Sequence, residues 1–228
     1  MVDIVSRAEW NARPPKRKPT RMTAVPSAKV YVHHTAGSES GAAGMRSIQR
    51  LHMDTRGWND IAYNFVIDGQ TGVIYAGRGV GIKGGHVEGV ENNQHGICVM
   101  GNYENEQLRP VARRALVALL REGHEEGWWR LEVYGHRNAP GANTACPGVW
   151  LYRQLPGVAA DALSAPAPAP VPGEGEPRLL IIAPEEAGHA PQRGRSLKPI
   201  RNSSTARAAW RPSRIAHTTS DWPRRMSP

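Results

Sequence analysis

The stretch Lys29-Val30-Tyr31-Val32-His33-His34-Thr35 alternates Val30 and Val32 against Tyr31 and His33. That two-residue period marks a β-strand whose successive side chains turn to opposite faces. Downstream, Ser40 to Arg56 sets Met45, Ile48, Leu51 and His52 at helical spacing. Ile61 to Asp68 is a β-rich run, Gly69-Gln70-Thr71-Gly72 a turn, and Val73 to Ala76 the returning strand of a hairpin. His95 to Met100 reads as a buried strand. Leu108 to Glu126 is the best helix, with Pro110 tolerated in its first turn and Ala112, Leu116, Leu119 and Leu120 on one face. Leu131 to Tyr134 is a short strand delivering Gly135-His136-Arg137 into a loop, and Val149 to Leu163 is helical with an interruption near Pro156. Strands and helices interspersed in this way predict one α/β domain, a mixed central β-sheet flanked by helices.

The 228 residues suffice for such a domain plus an appendage. Residues 1–163 form the expected domain, with 19 basic and 15 acidic side chains. Residues 164–177 are a Pro/Ala-rich linker opening Ser164-Ala165-Pro166-Ala167-Pro168, and 178–228 a basic, low-complexity tail. The tail's only apolar cluster is Leu179-Leu180-Ile181-Ile182, so disorder is expected in preference to a small folded wall-binding module. The longest apolar run, Ala115 to Leu120, has six residues, far short of the ~20 needed to cross a bilayer, so no membrane insertion is expected. Met1-Val2-Asp3-Ile4-Val5-Ser6-Arg7 lacks the apolar stretch of a signal peptide, which predicts synthesis into the cytoplasm.

The net charge of +9 includes a run from Arg13 to Lys29 with six basic residues and no acid. Such a balance favours a polyanion without naming one. No zinc-finger spacing or aromatic-interleaved basic motif appears, so nucleic acid is not the expected partner. Of the two cysteines, Cys98 lies in the apolar run Gly96-Ile97-Cys98-Val99-Met100 and reads as a small core residue. Cys146 sits in a Gly/Asn/Pro loop where packing gives it little to do. With His33 at a strand end and His136 at the other end of the Cys146 loop, it makes a set of three soft-metal ligands of the kind catalytic zinc uses. Spacing alone leaves two readings open: a structural strand-end histidine with an incidental loop cysteine, or one metal site.

Four further motifs carry a resemblance. Tyr31-Val32-His33-His34-Thr35-Ala36-Gly37, Trp58-Asn59-Asp60-Ile61-Ala62-Tyr63-Asn64-Phe65, Tyr75-Ala76-Gly77-Arg78-Gly79, and Gly135-His136-Arg137 followed by Thr144-Ala145-Cys146-Pro147-Gly148 resemble zinc-dependent N-acetylmuramoyl-L-alanine amidases. That family includes phage endolysins and peptidoglycan-recognition proteins, whose opening Ser6-Arg7-Ala8-Glu9-Trp10 is also similar. The likeness spans about residues 4–155.

The resemblance implies one zinc ion per chain on His33, His136 and Cys146, with His34 a non-ligand neighbour. It places Tyr63 at the catalytic tyrosine position and Thr144 where relatives carry lysine or threonine. His86 matches a histidine near the substrate groove, and Asn93 ends the Gly85 to Asn93 segment of substrate contacts, where Glu91 replaces the asparagine common in relatives. Trp58 reads equally as core or as a platform for a sugar ring, and Arg78 as a partner for a stem-peptide carboxylate or as a solvated side chain. His34 and His52 read as packing or surface residues, and Trp128-Trp129 as a core anchor.

The implied reaction is hydrolysis of the amide joining N-acetylmuramic acid to L-alanine in bacterial peptidoglycan. Zinc would acidify water and polarise the carbonyl, with the Thr144 side chain or adjacent backbone as a donor to the developing oxyanion, and Tyr63 either as a second donor there or as the group that orients the water. A cytoplasmic phage endolysin fits these expectations, and the basic surface would be drawn to anionic wall polymers. Recognition-only relatives lose the cysteine ligand, so the alternative is a non-catalytic peptidoglycan-binding module. A third reading makes Cys146 a nucleophile with His136 as its base.

Overall fold

The strand read first is the hinge of the architecture. In the computed structural model, which describes residues 1–164, β2 (Ser27–His34) lies between β5 (His95–Val99) and β6 (Trp129–Gly135), parallel to both. On the far side of β5 come β3 (Phe65–Ile67), β4 (Ile74–Ala76) and β1 (Ile4–Val5), giving the order β1-β4-β3-β5-β2-β6. Only the β3–β4 hairpin is antiparallel, so the sheet is mixed. The linker beyond Ser164 and the 178–228 tail lie outside the described residues.

Alternation along the strands divides the chain's apolar residues between two faces. Val30, Val32, Phe65, Ile67, Ile97 and Val99 point to one face, where α2 (Pro110–Glu125) and α3 (Val149–Leu163) cover them with Leu116, Leu119, Leu151 and Leu155. Val66 and Cys98 point to the other face, beneath α1 (Gly41–Arg50) and Trp10. Because both faces are covered, β5 is buried from end to end, as a central parallel strand must be. The Trp129 indole donates to the Leu120 carbonyl at 3.0 Å and ties β6 to α2. Asp68 joins the hairpin to α1: one carboxylate oxygen accepts from the backbone of Gln70 and Thr71, the other from Ser40 Oγ and the Gly41 amide. Among the described residues no helix is long and apolar enough to cross a membrane.

Several boundaries differ from the sequence reading, each for a physical reason. The expected helix over 40–56 is α-helical only to Arg50; Leu51–Thr55 is a wider turn closed by the Arg56 amide on the Leu51 carbonyl at 3.1 Å. The wider turn buries the adjacent His52 and Met53 together. The expected break at Pro156 does not occur. Its ring is on the exposed side of α3, while the buried Leu151, Leu155, Val158 and Ala162 pin the helix on both sides of it. β1, two residues long, is too short to show a period.

His95 is completely buried, and both its ring nitrogens have partners. Its Nε2 accepts the Gly81 amide at 3.2 Å, so Nδ1 carries the proton and donates to Ser27 Oγ at 2.7 Å. Burial lowers its pKa to about 4, so folding requires the neutral ring. The unfolded chain takes up this proton near pH 6.5, so stability is lost as pH falls from about 6.5 towards 4, by on the order of 3 kcal/mol from this residue. Urea unfolding at pH 7 and pH 4.5 checks this: His95→Gln is expected to lose less stability between the two than wild type. Equal losses would contradict it.

Candidate metal centre and cleft

The β2–β6 register pairs Val32 with Gly135, so the next residue on each chain segment is a histidine: His33 within β2, and His136 just past the end of β6, where it opens a short 3-10 turn. Their rings stand side by side with centroids 4.7 Å apart. Cys146 returns to them on the loop that follows His136. Arg137 fastens that loop: its amide donates to the Cys146 carbonyl at 3.0 Å, and its guanidinium to the Cys146 and Ala145 carbonyls. Thr144 Oγ1 accepts the Cys146 amide at 3.1 Å, which leaves the threonine hydroxyl proton free to donate. The Cys146 sulfur lies 3.7 Å from His33 Nδ1 and accepts the His34 amide at 3.4 Å.

His33, His136 and Cys146 offer ligand atoms that all lie within 4.8 Å of one another. A tetrahedral zinc ion, with bonds of about 2.0–2.1 Å to nitrogen and 2.3 Å to sulfur, sets its N···S edge near about 3.6 Å. The sulfur and His33 Nδ1 already stand at that spacing, so this group is consistent with a zinc site. Burial holds His33 well below the usual imidazole range, and so do the neighbouring His86 and His136, keeping it neutral as a ligand must be. Burial also pushes the Cys146 thiol up to about 11; a cation is what would stabilise its thiolate there.

The centre floors a cleft of about 450 Å³. Tyr63, Thr144, Trp58 and His86, all singled out in the sequence, line it. Beyond Thr144 and His136 it continues into a hollow of about 170 Å³ walled by Ala139 to Asn143 and Glu88. Tyr63 packs its ring 5.3 Å from that of His33, and burial raises its hydroxyl well above the ordinary phenol range, with Cys98 and Cys146 adding to the shift. It is therefore a hydrogen-bond donor, not a phenolate. Trp58 is half-buried, lying 4.9 Å from the His52 ring with the Arg56 guanidinium 5.0 Å over its own.

Two expected substrate contacts are not brought to this cleft. Arg78 spends its guanidinium on the Ile61 and Lys83 carbonyls, at 2.6 and 2.7 Å, and lines a separate small cavity with Arg7 and Asp60. Asn93 donates to the Val90 carbonyl within its own short turn. Glu91 is likewise structural, accepting from Tyr31 Oη at 2.5 Å and pairing with Lys29 at 3.4 Å.

The sequence reading passed over three cleft residues: His52, Arg56 and Glu39. His52 lies on the buried stripe of a helix, so its periodicity marked it as packing. It is buried, yet it reaches the cleft, with Nδ1 accepting the Ala62 amide at 3.1 Å. Glu39 presents one buried carboxylate oxygen without a hydrogen-bond partner. Near Trp58, the basic run from Arg13 to Lys29 forms a strap pinned by the Lys16 and Arg17 amides on Asn59 and by the Lys16 ammonium on the Met53 carbonyl, leaving the side chains of Arg17, Lys18 and Arg21 exposed.

Residues 24–149 match the N-acetylmuramoyl-L-alanine amidase family. Peptidoglycan-recognition protein SC2 of Drosophila simulans is 34% identical over 163 residues, covering 68% of this chain and 85% of its own. The N-acetylmuramoyl-L-alanine amidase of Mus musculus is 37% identical over 164 residues, which is 67% of this chain but 30% of that larger protein. Among solved structures, peptidoglycan recognition protein-LE in complex with tracheal cytotoxin, a monomeric diaminopimelic acid-type peptidoglycan, aligns with a TM-score of 0.61 and 31% identity over 67% of this chain and 91% of its own. With its sheet order, cleft and ligand triplet in hand, the chain belongs to the N-acetylmuramoyl-L-alanine amidase family.

Proposed function

We propose that this chain binds peptidoglycan and, with zinc on His33, His136 and Cys146, hydrolyses the amide between N-acetylmuramic acid and L-alanine. The observation that carries this reading is the retained Cys146 sulfur at 3.7 Å from His33 Nδ1, a donor that a purely binding groove does not need. A relative named for this amidase activity and another solved with a peptidoglycan fragment support the choice of substrate.

Zinc would supply Lewis-acid polarisation of the scissile carbonyl and acidify water to a working nucleophile near neutral pH. The protein's own residues do the rest. Tyr63, protonated by virtue of its burial, donates a hydrogen bond toward the carbonyl oxygen as charge develops there. Thr144 keeps the Cys146 amide on its oxygen and directs its free proton into the same cleft. Trp58 offers an aromatic face for a sugar ring at the wall of the cleft. The cleft and its extension past Thr144 give room on both sides of a central amide, as a bond between a glycan and a peptide requires.

The relatives named above are animal proteins and lend no support to a phage-endolysin setting or a bacteriolytic role. The exposed cations of the strap supply an electrostatic contact for anionic wall polymers beside the cleft.

Mass analysis of digested peptidoglycan, together with labelling of newly freed L-alanine amino groups, tests the reaction. Wild type with zinc is expected to release them, and Cys146→Ser to release them roughly two orders of magnitude more slowly or not at all. Tyr63→Phe is expected to lose roughly 10²–10³ in kcat while still binding wall fragments. Binding without release by zinc-loaded wild type would establish the recognition reading instead, and undiminished release by Cys146→Ser would point away from a thiolate ligand. For the strap, Arg17→Glu/Lys18→Glu is expected to weaken adsorption to teichoic-acid-bearing walls at low salt. That difference should vanish near 1 M salt, where the screening length is about 3 Å; adsorption unchanged at low salt would remove the strap from the account.

A further inference from the structure

His86 is a buried histidine of the cleft, and one of its ring nitrogens faces a backbone carbonyl while the other faces a proposed metal ligand. Its Nε2 faces the Gln94 carbonyl at 3.1 Å and its Nδ1 faces His33 Nε2 at 3.0 Å. A carbonyl oxygen only accepts, so His86 Nε2 must carry the proton. Among the described residues no carboxylate pairs with this buried ring, whose partners are the Gln94 carbonyl and His33, so it carries the one proton on Nε2 and a lone pair on Nδ1. His33 Nε2 must then be the donor. His33 is neutral too, so its second lone pair falls on Nδ1, the atom that faces the Cys146 sulfur. Every proton position follows from one backbone carbonyl.

The surroundings are built to keep His86 in this place. A Cβ on Gly84 or on Gly96 would collide with the His86 ring, so both glycines are required by the close approach of their backbones to it. Asn92 clamps the backbone on either side: its Oδ1 accepts the His86 and Val87 amides at 2.9 and 3.2 Å, and its Nδ2 donates to the Val87 carbonyl at 2.7 Å. The Gln94 side chain, in turn, is held by the Lys29 amide at 2.8 Å, so the accepting carbonyl belongs to a segment fastened to β2 itself.

We propose that His86 is a positioning residue that, through the Gln94 carbonyl, locks His33 in the tautomer presenting Nδ1 as the metal-binding lone pair. This rests on the zinc-site reading above and adds to it the source of the ligand's orientation. Outer hydrogen bonds of this kind sharpen both the aim and the basicity of a ligating imidazole, and losing one costs about 10–100-fold in metal affinity.

Two measurements on the full chain test it. Long-range ¹H–¹⁵N NMR of the zinc-free protein reads the tautomers directly, and the expected result is a proton on Nε2 of both His33 and His86. A proton on Nδ1 of His33 would overturn the proposal, whatever the protein's affinity for zinc. Competition titration with a zinc chelator then compares variants. His86→Phe is expected to bind zinc about 10–100-fold more weakly, and His86→Gln, whose amide can still accept from one neighbour and donate to the other, to recover most of that loss. Wild-type affinity in His86→Phe would overturn it as well. Should His86→Phe fail to fold, the tautomer measurement on wild type decides alone. Should wild type bind no zinc, the zinc reading fails while the tautomer result still stands on its own.

Discussion

A fully buried imidazole cannot afford a charge, and it cannot leave a ring nitrogen facing empty space. His33, 1% exposed at the end of the central strand, puts both demands on its surroundings. Its Nε2 side is met by the His86 ring, whose far nitrogen ends on the Gln94 carbonyl. Its Nδ1 side opens toward a sulfur and a second imidazole, an arrangement of donors consistent with a zinc site. The sheet makes the meeting possible: the register of β2 with β6 sets His33 beside the first residue past β6, His136, so only Cys146 has to be brought back by the loop that follows. Arg137 and Thr144 fix that loop by hydrogen bonds to its backbone.

The division of the two sheet faces explains why such a polar centre does not destabilise the domain. The large apolar core lies on the α2–α3 face, with Val30, Val32, Ile97 and Val99 at its middle. The α1 face carries a smaller core around Trp10, Met45 and Cys98, and the cleft opens beside it. Neighbouring residues of a single strand thus serve opposite ends: Val32 stabilises the fold and His33 equips the site. Cys146 and Tyr63 both line this cleft.

Much of this was legible in the sequence because the signals were carried by side chains. The alternation in β2, the long apolar face of α2, the hairpin turn and the soft-ligand triplet could all be read from residue types. What could not be read was geometry carried by the backbone. The parallel register that sets His33 beside His136 leaves no mark on either segment alone. The role of His86 depends on the carbonyl of Gln94, and every residue has a carbonyl. Arg78 resembled a carboxylate partner because its guanidinium is a strong donor; the structure spends those donors on two main-chain oxygens that no motif records. Pro156 was read as a break because its missing N–H is certain, whereas the packing that carries α3 past it is tertiary. His52 was hidden for the opposite reason, its place on a buried helical stripe masking its access to the cleft.

The central claim is the convergence of two imidazoles and one thiolate on a single zinc ion. Zinc K-edge X-ray absorption on the full-length protein loaded with one equivalent of metal tests it most directly. The account predicts a four-coordinate shell with one sulfur at about 2.3 Å and the multiple-scattering signature of two imidazole nitrogens at about 2.0–2.1 Å. A shell of light atoms alone, without sulfur, would contradict it.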